Sequence, residues 1–201
     1  MDEDLQLLEA WRAGDRRSGS ALFERHFTSV RRFFRNKVPA TEIEDLVQRT
    51  FQALLEHQHQ YRGEARFVAY VLAIARSQWH RWLRKHDPVR EGIDGGTVSL
   101  RDLGVSPSEV AVHRQEQRVL FDALQRLPLD TQALLELFYW EGLDAHEIAI
   151  AMGIQHGAVR TRLTRARQAL RGLVGDGYAP ADAGDRELDD ATRGLGELVR
   201  S

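Results

Sequence analysis

Five arginines in the last third of the chain are the residues whose type and spacing point most directly to chemistry. Residues 154–175 contain no aspartate or glutamate but include Arg160, Arg162, Arg165, Arg167 and Arg171. A guanidinium group is permanently charged and binds a phosphate, or the edge of a guanine, through two parallel hydrogen bonds. The whole chain has a formal net charge of -2. The positive charge is therefore local, and it predicts that one short segment binds a polyanion.

A second basic segment precedes this one, and acidic segments surround both. Residues 57–90 contain seven lysines and arginines against Glu64 and Asp87, a net charge of +5, and the five arginines of residues 154–175 also give +5. Residues 127–150 contain five acids and neither lysine nor arginine, and residues 176–201 contain seven acids against three arginines. The pI near 6.5 argues against a uniformly basic nucleic-acid binder. Any such role must come from the two basic segments.

Composition argues against several other kinds of chemistry. The 201 residues include no cysteine, so disulfides, zinc-thiolate sites and cysteine nucleophiles are excluded. His57 and His59 have no third ligand nearby, and no nucleophile motif or carboxylate cluster occurs; we expect no metal, no cofactor and no catalytic centre. The start MDEDLQLLEA is acidic, unlike a signal peptide, and no apolar run approaches the roughly 20 residues of a membrane span. We expect a soluble, cytoplasmic protein without a membrane partner.

The elements that must position these residues are helices. Apolar residues recur at helical spacing throughout, which predicts an all-α fold. Residues 87–105 lose this periodicity and gather Gly and Pro, which predicts a flexible linker between two small helical domains. Ser106 and Pro107 then have the order of a helix N-cap. Predicted helices lie at about Asp4–Arg12, Ala21–Lys37, Thr41–His57, Phe67–Lys85, Glu109–Arg126, Asp130–Trp140, Asp144–Met152 and His156–Val174.

Apolar stripes predict which helix faces are buried. Thr41 and Glu44 match a T-x-x-E capping box at the start of the third helix. The predicted stripe of the second helix is Phe23, Phe27, Val30 and Phe34, and that of the third is Ile43, Leu46, Val47, Thr50, Phe51 and Leu54. In the tail after Gly175 we predict at most a weak helix near Arg186–Val199. The tail is either disordered or docked through Leu188, Leu195 and Leu198.

The helix predicted at Phe67–Lys85 separates an apolar arc from a basic ridge. Trp79 and Trp82 fall on the apolar side, so burial is favoured over stacking on DNA. The opposite side carries Arg76, Ser77, His80, Arg81 and Arg84. A basic ridge near aromatic side chains suits capture of a nucleic-acid strand, because cations follow the backbone and aromatic faces receive unstacked bases.

The C-terminal basic segment has the pattern of a helix-turn-helix. Gly153 permits the positive φ of a tight turn, Ala149 is small where the helices cross, and Ile154 and Val159 fill the space between them. A recognition helix in a major groove is favoured over an ordinary amphipathic helix with a solvated basic face. Candidates for base contacts are Gln155, His156, Arg160 and Thr161, and candidates for phosphate contacts are Arg162, Arg165 and Arg167. Arg171 is a further candidate for contact with DNA.

Two stretches resemble the bacterial RNA polymerase sigma factors. EIEDLVQRTF followed by FVAYVLAIARSQWHRWLRKH resembles their region 2, and LQRLPLDTQALLELFYWEGLDAHEIAIAMGIQHGAVRTRLTRARQAL resembles their region 4. The order of the two and the absence of a middle domain resemble the extracytoplasmic-function (ECF) type. The resemblance implies four segments: a region 2-like domain at 1–86, a linker at 87–105, a region 4-like helix-turn-helix domain at 106–174, and an acidic tail at 175–201.

The resemblance also implies roles for individual residues. A surface docking on the clamp helices of core RNA polymerase would comprise Glu44, Asp45, Gln48, Arg49 and Gln52, although a solvated face is the alternative. Recognition and melting of the promoter -10 element would involve Tyr61, Arg62, Gly63, Phe67, Arg76, Ser77, His80, Arg81 and Arg84. The -35 element would be bound by the residues proposed for the recognition helix. Departures from the family pattern at Tyr70, Val71, Ser77, Arg81 and Ala158 leave the promoter sequence open.

The predicted function is therefore that of a sigma subunit, which binds core RNA polymerase and directs transcription initiation at promoter DNA. It is not an enzyme, it acts in the cytoplasm at the nucleoid, and an anti-sigma factor is a further partner that the resemblance allows. The alternative is a stand-alone helix-turn-helix regulator that dimerises, or binds another protein, through its N-terminal domain. It would need two recognition helices about one DNA turn apart. A DNA-processing enzyme ranks far below both, because clustered metal-binding carboxylates are lacking.

Overall fold

The computed structural model of the protein describes residues 3–35, 37–86, 115–174 and 185–198. In these ranges the regular structure is helical, as predicted. The linker predicted at 87–105 and the helix start at Ser106 lie outside the described residues. The helices are α1 (Glu3–Arg12), α2 (Arg16–Arg35), α3 (Ala40–His57), α4 (Phe67–His86), α5 (Gln115–Arg126), α6 (Leu129–Tyr139), α7 (Ala145–Met152), α8 (His156–Val174) and α9 (Asp185–Leu198), with a short 3₁₀ turn at Gln58–Gln60.

Helix α2 begins five residues earlier than predicted, inside the segment interpreted as a loop. Asp15 supplies the missing helix start, because its carboxylate accepts the Arg17 N–H at 3.0 Å and the Ser18 hydroxyl at 2.7 Å. Gly19 is required by packing: a Cβ there would lie 2.7 Å from Nε1 of Trp11 on α1. The Gly and Ser residues that suggested a loop therefore let α1 and α2 approach closely.

Helices α2, α3 and α4 surround the core of the N-terminal half. The six predicted inner residues of α3 are all buried, and so are Trp79 and Trp82. The stripe predicted for α2 holds only in part, since Val30 and Phe34 are buried whereas Phe27 is 42% exposed. The predicted capping box is wrong: α3 begins at Ala40, and its N-cap is Pro39, which has no side-chain cap. Proline pre-sets its own φ and so starts the helix without a capping side chain.

Helices α5 to α8 form the C-terminal half, and α7 and α8 make the helix-turn-helix. The carboxylate of Asp144 caps α7 in a complete capping box with Glu147. Gly153 ends α7 with φ 64°, and the Ile154 N–H donates to the Ala149 carbonyl at 3.0 Å. Val159 is fully buried against this turn. The predicted turn geometry and the bounds of α8 are confirmed.

Helix α9 docks on the C-terminal half, as one of the two alternatives for the tail predicts; residues 175–184 and 199–201 and the side chain of Leu198 lie outside the described residues. Leu188 and Leu195 are buried, and the indole N–H of Trp140 donates to the Thr192 carbonyl at 2.8 Å. Its main contacts are with α5 and α6. Among the described residues, no helix is long and apolar enough to span a membrane.

The two halves also pack on each other, mainly through α4 and α7. Both helices carry buried alanines, Ala69 and Ala75 on α4 and Ala149 and Ala151 on α7. Charged pairs join the halves around this seam. The arrangement of the halves decides which basic surfaces are open to a ligand.

Candidate nucleic-acid interfaces

The N-terminal part of α8 presents an open basic surface. Gly153 turns the chain sharply, and the buried stripe of Val159, Leu163, Ala166 and Leu170 fixes which side of α8 faces inwards. Seven of the eight candidate -35 residues are exposed: Gln155, His156, Arg160, Thr161, Arg162, Arg165 and Arg171. Exposed arginines at a helix that protrudes from a tight turn suit phosphate and base-edge contacts in a major groove.

Arg167, the eighth candidate, is held against the protein. Its guanidinium lies 4.9 Å from the centre of the Phe138 ring, and its Nε donates to the Tyr139 hydroxyl at 2.8 Å. Asp189 of α9 lies 3.6 Å from the same nitrogen. Burial and the hydrogen bond to Asp189 raise the pKa of Tyr139 to about 12, so this hydroxyl stays protonated. Helix α9 therefore engages a cation that the sequence predicts to contact phosphate.

The basic ridge of α4 is partly covered by the C-terminal half. Arg76 donates to Asp130 of α6 at 3.0 Å, and the His80 ring lies 3.6 Å from the same oxygen. The pKa of Asp130 lies below its usual range: burial acts to raise it, but His80 and Arg76 outweigh that effect. Arg81 and Arg84, farther along the helix, are exposed, as is Ser77. A cleft of about 390 Å³ separates the ridge from Ile150, Ala151 and Gly153 of the helix-turn-helix.

The loop before α4 contains both core residues and exposed residues. Tyr61 and Phe67 are buried with their rings edge to face, 5.2 Å apart, and the Tyr61 hydroxyl donates to the Ala65 carbonyl at 2.6 Å. Arg62 and Gly63 are exposed. A cleft of about 330 Å³ here is lined by Gln60, Tyr61, Arg62, Glu64, Ala65, Tyr70 and, from α7, Ile150. Tyr61 thus lines this cleft, whereas Phe67 is buried beneath the Tyr61 ring and does not line it; neither stands open on the surface.

Two residues at these surfaces have no counterpart among the predicted candidates. Tyr70 on α4 is half-buried beside Tyr61, and its hydroxyl donates to the His57 carbonyl at 2.7 Å, which ties α4 to the end of α3. Arg66 is half-exposed and reaches Glu147 of α7 at 2.6 Å. The sequence contains a signal for each of them: Tyr70 departs from the family pattern, and Arg66 belongs to the basic segment at 57–90. Their roles depend on neighbours that are distant in sequence.

The outer face of α3 is polar and exposed from Glu44 to Gln52, and Leu55 beyond it is an exposed apolar side chain. Glu44, Asp45, Gln48, Arg49 and Gln52 are all exposed. Asp45 and Arg49 form an i, i+4 pair at 2.9 Å, and Glu44 pairs with Arg31 of α2 at 3.1 Å. These exposed pairs contribute little stability, so they are available to exchange partners on docking. The structure brings all five predicted residues together on one surface, away from the buried side of α3.

Two family models match the chain, in the order in which the two halves occur. The model of Sigma-70 region 2 matches residues 22–89, which include α3 and α4, and that of Sigma-70, region 4 matches residues 117–170, which include the helix-turn-helix. Together they span more than half of the chain. The chain belongs to the sigma-70 family.

Relatives with known names place this sigma factor among the ECF type. It is 28% identical over 181 residues to the ECF RNA polymerase sigma-E factor of Haemophilus influenzae, covering 85% of this chain and 95% of that one. It is 29% identical over 134 residues to the ECF RNA polymerase sigma factor SigX of Bacillus subtilis, covering 65% and 69%. A probable RNA polymerase sigma factor RfaY of Xanthomonas campestris is 32% identical over 131 residues, 64% of this chain and 33% of that one.

Solved structures share the fold of the sigma factor. CnrH, solved in complex with the cytosolic domain of CnrY, matches with a TM-score of 0.60 and 22% identity, over 86% of this chain and 97% of that one. The sigma factor RpoE of Bartonella quintana, solved with the anti-sigma factor NepR, matches with a TM-score of 0.58 and 20% identity, over 77% and 95%. Helix α9 begins at Asp185, beyond the end of the region 4 match at residue 170.

Proposed function

We propose that this sigma factor binds core RNA polymerase, carries it to promoters through a -10 and a -35 contact, and makes transcription initiation promoter-specific. The observation that carries the proposal is the exposed N-terminal part of α8, with its arginines and no acid, in the same chain as a matched region 2. A helix-turn-helix alone is compatible with many regulators, whereas its combination with region 2 is specific to promoter recognition. The role is non-catalytic and lies at the chromosome, in the cytoplasm.

Each segment has a separate task in this proposal. Residues 1–86 bind polymerase and the -10 element, 87–105 form the linker, 106–174 bind the -35 element, and 175–201 form the tail. Polymerase docking is assigned to the polar outer face of α3, supported by its exposure and its exchangeable ion pairs. At the -10 element, the cleft between Arg62 and Tyr70 would receive an unstacked base while Arg81 and Arg84 bind the backbone.

At the -35 element, the first turn of α8 enters the major groove. Gln155, His156, Arg160 and Thr161 are assigned to base edges, and Arg162, Arg165 and Arg171 to phosphates. Arg167 joins the phosphate contacts only if it leaves Tyr139 and Asp189. An anti-sigma factor is a further partner that the proposal includes, since both solved relatives described above were captured with a protein bound.

Transcription from mapped promoters with purified core polymerase tests the proposal. Addition of the sigma factor should yield specific transcripts from a subset of promoters on fragmented genomic DNA from the source bacterium, whereas core enzyme alone should not. Replacing Arg160 by Ala should reduce specific transcripts about five-fold or more, because a good base contact contributes about 1–3 kcal/mol of discrimination. The matched control is Arg17→Ala, the same substitution at an exposed position on α2. Absence of any promoter-dependent transcript across the genome would refute the assignment.

A further inference from the structure

Helix α1 lies outside both family matches, yet it reaches the loop that shapes the cleft assigned to the -10 element. The region 2 match begins at residue 22, after α1 has ended at Arg12. Besides α2, α1 contacts the 3₁₀ turn at Gln58–Gln60. That turn connects α3 to the loop whose Tyr61 and Arg62 line the cleft. A helix without an assigned role therefore touches the segment that would receive a base.

The position of α1 is fixed by its packing on α2. Leu8 is fully buried, and Asp4 accepts a hydrogen bond from Arg25 at 2.7 Å. The indole of Trp11 lies directly over Gly19, where no side chain could be accommodated without a shift. These contacts extend from the first turn of α1 to the last. They hold the C-terminal end of the helix beside the loop that precedes α4.

Arg12, the last residue of α1, binds the main chain of this loop. One terminal nitrogen of its guanidinium donates to the Gln58 carbonyl and to the Tyr61 carbonyl, the latter at 2.9 Å. Gln58 is the C-cap of α3. Carbonyl groups at the end of a helix lack intrahelical donors, and their partial negative charge favours a nearby cation. Arg12 supplies both the donor and the cation at this position.

Tyr70 holds the same segment from the opposite side. Its hydroxyl donates at 2.7 Å to the His57 carbonyl, which is adjacent in sequence to the first carbonyl that Arg12 binds. Its ring centre lies 5.4 Å from that of Tyr61. The main chain of Tyr61 is thus held by Arg12 and its ring by Tyr70. One wall of the cleft is fixed by side chains of α1 and α4 together.

Arg12 acts on the cleft from outside it. The residues that line the cleft lie between Gln60 and Tyr70, with Ile150 of α7. Within the described part of the chain, the Nε atom of Arg12 is buried without a hydrogen-bond partner. An unsatisfied buried donor costs free energy, which offsets what the two bonds to the loop contribute to folding. We therefore expect Arg12 to affect the geometry of the loop more than the stability of the domain.

We propose that Arg12, together with the hydroxyl of Tyr70, is a positioning residue that sets the shape of the base-receiving cleft and thereby the base discrimination at the -10 element. The proposal rests on the proposed function, which assigns an unstacked -10 base to this cleft. Such a site must be held to within about 0.5 Å, because small displacements of a binding group cost large factors in selectivity. Loss of Arg12 should lower selectivity without removing a contact to DNA.

The test removes the donors of Arg12 and retains its bulk. Arg12→Met keeps an apolar stem, and Arg17→Met makes the same change at an exposed position of α2. Hydrogen exchange of the peptide spanning residues 57–66 in the free protein measures the loop directly. Exchange should be about three- to ten-fold faster in Arg12→Met, because two hydrogen bonds that close the loop are lost. Arg17→Met should match the wild type.

Base discrimination is measured by transcription with holoenzyme from promoters in which each base of the -10 and -35 elements is substituted singly. The wild type should discriminate most strongly at the base that the cleft receives. Arg12→Met should reduce discrimination at that position roughly five- to ten-fold, a large part of the contribution of one good base contact. Discrimination at the -35 element and the salt dependence of promoter binding should not change, and Arg17→Met should again match the wild type.

Should Arg12→Met fail to fold, Tyr70→Phe gives the answer, since it removes only the hydroxyl and retains the ring. It should change exchange and discrimination in the same directions by about two- to three-fold. In whichever variant folds, unchanged loop exchange or unchanged -10 discrimination would overturn the positioning role. An equal loss at every promoter base, with a smaller salt slope, would also overturn it and would identify Arg12 as a phosphate contact.

These outcomes are separate from a failure of the proposed function. If wild-type holoenzyme gives no specific transcript, the promoter assignment fails, whereas hydrogen exchange still shows whether Arg12 holds the loop.

Discussion

On α8, Arg160, Arg162 and Arg165 project into solvent, whereas on α4 the side chains of Arg76 and His80 are only 20% and 21% exposed and face Asp130. The two segments carry the same excess of positive charge, and both lie on helices with one apolar side. They differ in what packs against the basic side. The difference shows that local charge identifies a candidate surface, whereas the docking of the other half decides whether that surface is available.

The largest expected effect comes from breaking the buried ion pair between Lys37 and Glu136, which joins the two halves. Lys37→Met should lower the free energy of unfolding by about 3–5 kcal/mol, because it leaves Glu136 buried without its partner. Urea denaturation monitored by circular dichroism measures this change. The double variant Lys37→Met, Glu136→Leu should recover most of the loss, since it removes both charges. A single-variant loss below about 1 kcal/mol would show that the pair is not buried in solution.

A smaller effect is expected at Gly153, in the turn between α7 and α8. Gly153→Ala should cost about 1–2 kcal/mol, since Gly153 has φ 64° and a side chain is strained in that conformation. Gly157→Ala is the matched control: it is helical with nothing within 4 Å of an added Cβ, and it should be neutral or stabilising by up to about 1 kcal/mol. Thermal unfolding compares the two variants. Equal effects would argue against the left-handed turn.

The ion pair between Arg66 and Glu147 should make the contact between the two halves sensitive to acid. The hydrogen bonds from Arg66 hold the pKa of Glu147 below its ordinary value of 4.5. Because this carboxyl is more acidic in the folded state, its contribution is present above about pH 4.5 and is lost as the pH falls through the lower folded pKa. Glu147→Gln should therefore cost about 1 kcal/mol or less near pH 7, and this cost should shrink as the pH falls below 4.5.

Urea titrations of the wild type and of Glu147→Gln across that pH range give the difference, with Glu24→Gln as the exposed control. A difference that persists at low pH would mean that Glu147 acts through packing and not through its charge.

The smallest expected effect distinguishes two arginines of α8, Arg165 and Arg167. Arg165→Ala should reduce the salt dependence of promoter binding by holoenzyme by about 0.9 in log–log slope, the value of one phosphate contact. Arg167→Ala should reduce it by less, because Asp189 and Tyr139 already engage that guanidinium. Filter binding at a series of salt concentrations measures both slopes. Equal reductions would show that Arg167 leaves α9 when DNA binds.

Much of the fold and of the open surface could be predicted from the sequence. The buried stripe of α3, the burial of both tryptophans, the bounds of α8 and the turn at Gly153 all follow from periodicity and from the conformational freedom of glycine. The start of α2 and the cap of α3 were predicted wrongly. At these positions a packing contact of Gly19 with Trp11, and a proline, replaced the expected local signals.

The sequence by itself thus determined an all-α chain, the inner face of most helices, a helix-turn-helix and two basic segments of equal charge. Periodicity shows that a face is buried, but it carries no information on which partner buries it. Only the tertiary structure decided that Tyr61 and Ile150 line one cleft, that α9 engages Arg167, and that an acid about 50 residues distant partly covers the ridge of α4. Those outcomes depend on contacts between residues far apart in the chain, where charge and shape are matched in space.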